Sequence, residues 1–333
     1  MLWLVIGLVL IYALFNGYRD TSSVLAGVVA SRAMRPRLAL VLVAIADLIA
    51  PFLFGAAVSR SIAEGLVNAS SISLRTIVVA MIATLGWNVF TWWRGIPSSS
   101  THALIGGLLG AILITAGPHA ILFDGLLIVL LPLVVGPLIG LGVGFVLMAL
   151  LLSSLSGATP RVNTLFRRLQ IFTMLLLAMS NSANDSHKSM GIIALGLVLA
   201  GKLSSFEIPT WVLVLCAAAL ALGSSFGDWR QIRNLGGRIY RIRPLNALAS
   251  QASASVLIVI ASVLGMPVST PHLISTALMG SGAAERVNKV RWHVATEMAA
   301  AWALTIPATM VISALICMAV VAFYHLGWIQ PGV

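Results

Sequence analysis

Gly95-Ile96-Pro97-Ser98-Ser99-Ser100-Thr101-His102 occurs a second time, 170 residues further on, as Gly265-Met266-Pro267-Val268-Ser269-Thr270-Pro271-His272. Gly, Pro, Ser and His align without a gap, and Gly110 and Gly280 follow at the same offset. A Gly-x-Pro sequence ends one helix and starts the next, because proline has no N–H to donate yet fits a first helical turn. The restarted helix is expected at Ser99, Ser100 and Thr101 in one copy and at Ser269 and Thr270 in the other. Its first N–H groups lack an intrahelical acceptor and carry the positive end of the dipole. One such start reads as a capped, proline-broken helix. Two that enter from opposite faces would hold one oxyanion between their N–H groups and hydroxyls.

Both copies lie in a strongly apolar chain. Of 333 residues, 59% are hydrophobic and 9% charged, against about 25% charged in a soluble domain. Apolar segments run roughly over 2–30, 38–57, 74–94, 97–116, 124–151, 169–200, 209–226, 246–265, 267–284 and 292–326. Most are long enough for ~30 Å of hydrocarbon, which predicts an all-α polytopic membrane protein with no separate soluble domain. The net charge of +11 does not indicate a nucleic-acid partner, because the basic residues sit in short loops. Arg32, Arg35 and Arg37, then Arg161, Arg167 and Arg168, then Arg230, Arg233, Arg238, Arg241 and Arg243, then Arg286, Lys289 and Arg291 form four basic connections. The other connections hold only Arg60, Arg75 and Lys202. That skew predicts cytoplasmic basic loops, with both termini outside a bacterial inner membrane. Segments 74–94 and 97–116 then leave and return on one face, and 246–265 and 267–284 on the other: two re-entrant helical hairpins. The first segment has no basic start and no small-residue cleavage site, so it reads as a retained span. Cys216 and Cys317 read as small core residues rather than a disulfide or metal pair.

A second motif is also doubled. Asn16-Gly17-Tyr18-Arg19-Asp20 is matched by Asn181-Ser182-Ala183-Asn184-Asp185, at an offset of 165. Two motifs in one order at nearly constant spacing predict two inverted-topology repeats. These are residues 1–152 with a hairpin at about 74–116, and 169–333 with a hairpin at about 246–284, joined by a cytoplasmic linker, 153–168. The Asn/Asp motifs fall in the middle of long segments and are expected to break those helices. A carboxylate at that depth must be neutral or engaged. Asp20 and Asp185 are therefore candidates to bind a coupling cation, to take a proton, or to accept a hydrogen bond from a protonated oxyanion. Asn16, Asn181 and Asn184 offer carbonyl oxygens or amide donors, and Asn181 with Asp185 is a candidate sodium site. The plainer alternative is structural pairing, Asp20 with Arg19 or Asp185 with Lys188. An ionised Asp beside the anion would accept from the O–H of phosphate and repel sulfate, which has none at neutral pH.

Arg19, Arg94 and Lys188 lie in or beside apolar segments, where a charge marks a pathway or a paired core. Gln251 and Ser255 precede the second hairpin and are further pathway candidates. His102 and His272 follow the hydroxyl runs and read as pH sensors or as packed helix-start residues. His187 is a candidate proton relay. Asp47 and Glu297 are single acids without a counterpart in the other half. Trp87, Trp92 and Trp93 read as packing or interface aromatics.

Asn181 to Asp185 continues as Ser186-His187-Lys188-Ser189-Met190-Gly191-Ile192-Ile193. It resembles the Gly-x-Asn-Asp signature of the inorganic phosphate transporter (PiT) family in its short bacterial members. The run from Trp87-Asn88 through His102 is similar to that family's first hairpin, Gly265 to His272 to its second, and the resemblance extends through Trp292 to Pro307. It implies phosphate import by symport with H+ or Na+, a substrate site between the hairpin tips, coupling ions at the two Asp-containing motifs, and a homodimer in the bilayer. No cofactor beyond the coupling ion is implied. Two departures stand out. Arg19 precedes Asp20 where many members have Asn and short bacterial ones often have His, and Pro271 replaces a hydroxyl residue. Arg19 is permanently charged, so it is expected to take a space that sodium fills elsewhere and to keep Asp20 ionised, leaving coupling at that site reduced or proton-based. Pro271 removes a hydroxyl and an N–H, so the first hairpin is expected to contribute more donors. The main alternative is a sulfate or other oxyanion permease of the same fold. An enzyme acting on lipid phosphates would show clustered acids at loop ends, and here the acids are scattered and mid-segment. A receptor would carry an appended signalling domain.

Overall fold

A computed structural model describes residues 1–68, 71–155, 162–232 and 239–325. Arg161, Arg233 and Arg238 of the basic connections lie outside the described residues. The described residues are helical throughout, apart from turns and one isolated bridge between Val67 and Ile121. The first part of the chain forms α1 (Leu2–Ala30), α2 (Pro36–Ile49), the short α3 (Ala57–Arg60), α4 (Leu74–Arg94), α5 (Ser100–Thr115) and α6 (Phe123–Ser154). The second forms α7 (Val162–Leu199), α8 (Thr210–Phe226), α9 (Pro244–Val263), α10 (Thr270–Glu285) and α11 (Trp292–His325).

Among the described residues α1, α4, α6, α9 and α11 are long and apolar enough to cross a membrane. The stretch from Pro36 to Gly65 adds a sixth span if its two parts, bent by 72°, are counted together. At 38 residues α7 is longer than any of these, but the polar run Asn181 to Lys188 occupies its middle.

Two expectations need correction. The Asn/Asp motifs do not break their helices: α1 and α7 run through Asn16–Asp20 and Asn181–Asp185 without interruption. Side chains that compete with the helical backbone in isolation are here turned outward onto neighbouring helices. Gly17 instead allows a close helix approach, since an added Cβ would sit 2.1 Å from the Leu220 carbonyl oxygen. A break appears instead within the expected segment 38–57, at Ala50 to Ala56, where Pro51 and Gly55 interrupt the helix. The described part of α7 starts at Val162.

Each Gly-Pro sequence joins two antiparallel helices. In the first hairpin Thr84 Oγ1 donates to the Ala103 carbonyl, 3.3 Å, and Thr76 Oγ1 meets Thr115 Oγ1, 3.2 Å. In the second, Asn246 Nδ2 donates to Glu285 Oε1, 2.7 Å. The turns are built alike. Gly95 and Gly265 have φ of 68° and 71°, a left-handed conformation that favours glycine. The following N–H groups, of Ile96 and Met266, return to the Thr91 and Ala261 carbonyls at 2.8 Å each, closing both helix ends with Schellman-type bonds.

Packing crosses between the halves. The second arm of the first hairpin, α5, lies against α11, and that of the second, α10, lies against α6. Likewise α1 packs on α8 while α7 packs on α2. At the centre of the two arm contacts are Gly110 and Gly280, the glycines that follow the repeated motif. A Cβ would fall 2.2 Å from the Met310 carbonyl oxygen at Gly110 and 2.0 Å from that of Leu141 at Gly280. Only a missing side chain lets the backbones approach so closely, the usual reason for glycine at membrane helix contacts. The two larger apolar cores each draw on both halves of the chain.

Candidate functional site

The two hairpin turns meet. Thr101 Oγ1, in the first turn of α5, donates to the Val268 carbonyl in the second hairpin's turn, 3.2 Å. One residue on, the His102 and His272 rings lie 4.9 Å apart, centroid to centroid. His272 stacks in turn on Trp302 of α11, at 3.9 Å. Ser98, Ser99, Ser100, Thr101, Ser269 and Thr270 are all buried. Both helix N-termini therefore open into one closed, polar centre, walled by α1 and α7.

The Asn/Asp motifs supply that wall, and each holds one hairpin. Asn184 binds the second: its Oδ1 accepts from Val268 N–H at 3.2 Å, and its Nδ2 donates to Ser262 Oγ, 3.0 Å, and to the Met266 carbonyl, 3.4 Å. Its counterpart in the first motif is Arg19, which binds the first hairpin. One guanidinium nitrogen donates to the Ser98 carbonyl at 2.9 Å and Ser98 Oγ at 3.4 Å, the other to Asn88 Oδ1 at 3.5 Å. Ser98 and Val268 are themselves repeat equivalents. Arginine here does mechanically what asparagine does in the other half, with a longer reach and a fixed charge. Among the described residues it forms no ion pair with Asp20.

Lys188 links everything. Its ammonium is wholly buried and donates to Asp185 Oδ1, 2.6 Å, to Thr101 Oγ1, 2.7 Å, and to the Val268 carbonyl, 2.8 Å. The Asp185–Lys188 pairing anticipated from spacing is present, but it also clamps both hairpin turns to α7. Asp20, on α1, which packs against α7, is buried as well.

Several polar atoms here are buried without a partner among the described residues: both amide atoms of Asn16, Asn181 Oδ1, Asp185 Oδ2, Ser269 Oγ and Thr270 Oγ1. Such atoms are costly unless something binds them. Two of them are hydroxyls of the second hairpin. In the first hairpin Ser99 Oγ accepts from His102 N–H as an N-cap, 3.3 Å, and the Thr101 hydroxyl is used between the hairpins. Ser269 Oγ and Thr270 Oγ1 have no partner among the described residues, and Ser99 Oγ, which accepts as a cap, keeps its own O–H to donate.

Other candidates lie elsewhere. Arg94 is exposed, its guanidinium 5.9 Å from the Trp93 ring, and takes no part in the cluster. Gln251 is buried but fully used in tying three helices, accepting from Thr173 Oγ1 at 2.9 Å and reaching the Val24 carbonyl at 3.5 Å. Ser255 donates to the Gln251 carbonyl within α9, 2.7 Å. Asp47 accepts from Ser224 Oγ, and its backbone carbonyl accepts from Ser182 Oγ at 2.9 Å, so it joins α2, α7 and α8. His187 is buried, its carbonyl capped by Ser59 Oγ at 2.7 Å, and Glu297 is exposed.

Sequence reasoning missed Tyr12. It is fully buried and its hydroxyl donates to the Ser100 carbonyl at 3.3 Å. Its position one helical turn before Asn16 puts it on the same face of α1, a signal available from spacing alone.

An all-helical membrane protein whose two hairpin turns converge on a buried polar centre is the class this geometry defines. The model of the phosphate transporter family matches residues 16–313, and the chain belongs to that family. It is 38% identical to a probable low-affinity inorganic phosphate transporter of Rhizobium meliloti (strain 1021), over 94% of this chain and 95% of that one. A similarly described protein of Bacillus subtilis (strain 168) is 35% identical over 92% and 93%. Among solved structures, one described as the sodium-dependent phosphate transporter superposes with a TM-score of 0.86, covering 96% of this chain and 98% of the other at 22% identity. These relatives are transporters rather than enzymes.

Proposed function

We propose that this protein imports inorganic phosphate by symport with a cation, H+ or Na+, through alternating access around the centre between the hairpin turns. The observation that carries the reading is the direct contact of the two turns, Thr101 to Val268, with Lys188 and Asp185 beside it. The nearby unpartnered atoms are the kind that replace an anion's water shell: hydroxyl and amide donors, with carboxylate oxygens that accept from a phosphate O–H. Phosphate as cargo is further supported by the descriptions of the Rhizobium and Bacillus relatives. The exchanged packing of α5 on α11 and α10 on α6 supports two inverted repeats with hairpins re-entering from opposite faces of a bacterial inner membrane. In this reading the basic connections face the cytoplasm, both termini face outside, and the protein works as a homodimer. Asn16, Asp20, Asn181, Asn184 and Asp185 serve coupling, and Ser99, Ser100, Thr101, Ser269 and Thr270 serve the anion.

The test is phosphate binding and uptake by purified protein in liposomes, with sulfate as competitor. Ser269→Ala combined with Thr270→Ala should weaken phosphate binding ~10-fold or more while leaving thermal stability unchanged, since neither hydroxyl bonds within the protein. Undiminished phosphate transport in that variant would remove the site, and equal competition by sulfate would remove the cargo assignment.

A further inference from the structure

The Lys188 ammonium sits in a ligand set of the kind an alkali cation takes. Three oxygens surround it at 2.6, 2.7 and 2.8 Å. They are a carboxylate from α7, a hydroxyl from one hairpin and a backbone carbonyl from the other. Hard, oxygen-only sets that mix carboxylate, hydroxyl and carbonyl bind hard metal cations. Carbonyls at the breaks of discontinuous helices do so for coupling sodium in transporters. An ammonium has three donors and no acceptor, so it satisfies this set completely, and the side chain is 0% exposed. The residue at the repeat-equivalent position is Ser23, so the cation is a feature of one half only.

We propose that Lys188 is a tethered cation that occupies the second half's coupling-ion position, and that it thereby makes phosphate binding independent of sodium. The proposal rests on the transport reading above and specifies its ion requirement. A phosphate ion then meets hairpin turns already drawn together by a fixed charge, where a metal-dependent site would first have to bind its ion. Shortening the side chain to Asn frees Asp185 Oδ1, Thr101 Oγ1 and the Val268 carbonyl, adds an amide oxygen, and reopens the position to sodium.

The experiment is binding of labelled inorganic phosphate to the purified full-length protein, in sodium chloride and in choline chloride of equal ionic strength. Wild type and Lys188→Arg should bind equally in both salts. Lys188→Asn and Lys188→Ala should bind weakly in choline and recover by ~10-fold or more in sodium, a coupling of ordinary allosteric size. A wild type that needs sodium overturns the proposal. So does a Lys188→Asn protein that binds phosphate yet ignores sodium, because a merely structural ion pair predicts that result. Should neither shortened variant fold, the wild type decides: indifference to sodium supports the proposal and dependence refutes it. A wild type that binds no phosphate in either salt refutes the transport reading instead.

Discussion

Replacing Gly110 or Gly280 by alanine should loosen the two contacts that hold the hairpins in place. The new Cβ at Gly110 would lie 2.2 Å from the Met310 carbonyl oxygen, and at Gly280 2.0 Å from that of Leu141. An ordinary contact of this kind is about 3.4 Å, so α5 and α11, or α10 and α6, must separate by about 1.2–1.4 Å. A radial gap near 1 Å forfeits about a quarter to a half of each dispersion contact along the seam. Overpacking of this kind costs about 1–3 kcal/mol. Both substitutions also gain up to ~1 kcal/mol of helix propensity. Gly142 of α6 provides the control, since an added Cβ there meets nothing within 4 Å. Comparing G110A and G280A with G142A cancels the propensity gain and leaves the clash, about 1–3 kcal/mol. Thermal unfolding in detergent, followed by tryptophan fluorescence, reads the difference as a lower midpoint for the first two variants. Phosphate uptake should fall with it, because each displaced arm carries a turn of the central site. Midpoints for G110A and G280A equal to that of G142A would show that the close helix approach does not hold the hairpins, and the reasoning would fail.

Arg19→Met should leave the Ser98 carbonyl and Asn88 Oδ1 without their donor, costing about 2–4 kcal/mol and most phosphate uptake. Arg19→Lys should not restore uptake, because one ammonium cannot reproduce the two-pronged bond; full activity of the lysine variant would contradict the clamp. Asn184→Leu should lower the unfolding midpoint by removing three bonds to the second hairpin, an effect that Arg94→Ala, at an exposed site outside the cluster, should lack. Gly95→Ala forces a left-handed residue at a cost of about 1–2 kcal/mol. Gly265→Ala should cost more, since its Cβ also comes within 2.9 Å of Ser61 Oγ; a melting comparison of the two decides the order.

Much of the centre was legible in the sequence because repetition is a strong signal. The doubled Gly-x-Pro stretch located both turns to the residue, and the doubled Asn/Asp motif named the helices that face them. The continuity of α1 and α7 was not legible. Asn, Asp and Ser look like helix breakers until their side chains have partners on another helix, and those partners lie far along the chain, as Met266 and Val268 do for Asn184. The break at Ala50 to Ala56 left a trace in Pro51 and Gly55, but hydropathy averages over such short interruptions. For Lys188, spacing exposed only the near partner, Asp185 three residues back. Its bonds to Thr101 and Val268 depend on tertiary placement. Counting Ser and Thr likewise does not reveal which of them, as Thr101 does, join the two turns.

The exchange of arms between the halves has a consequence for how such a chain can change. The second arm of each hairpin rests on a helix from the other part of the chain. A single-copy ancestor with this arrangement would have had to associate with a second, identical chain. Two identical chains would carry the same residue at both places, whereas this single chain sets Arg19 against Asn184 and Ser23 against Lys188.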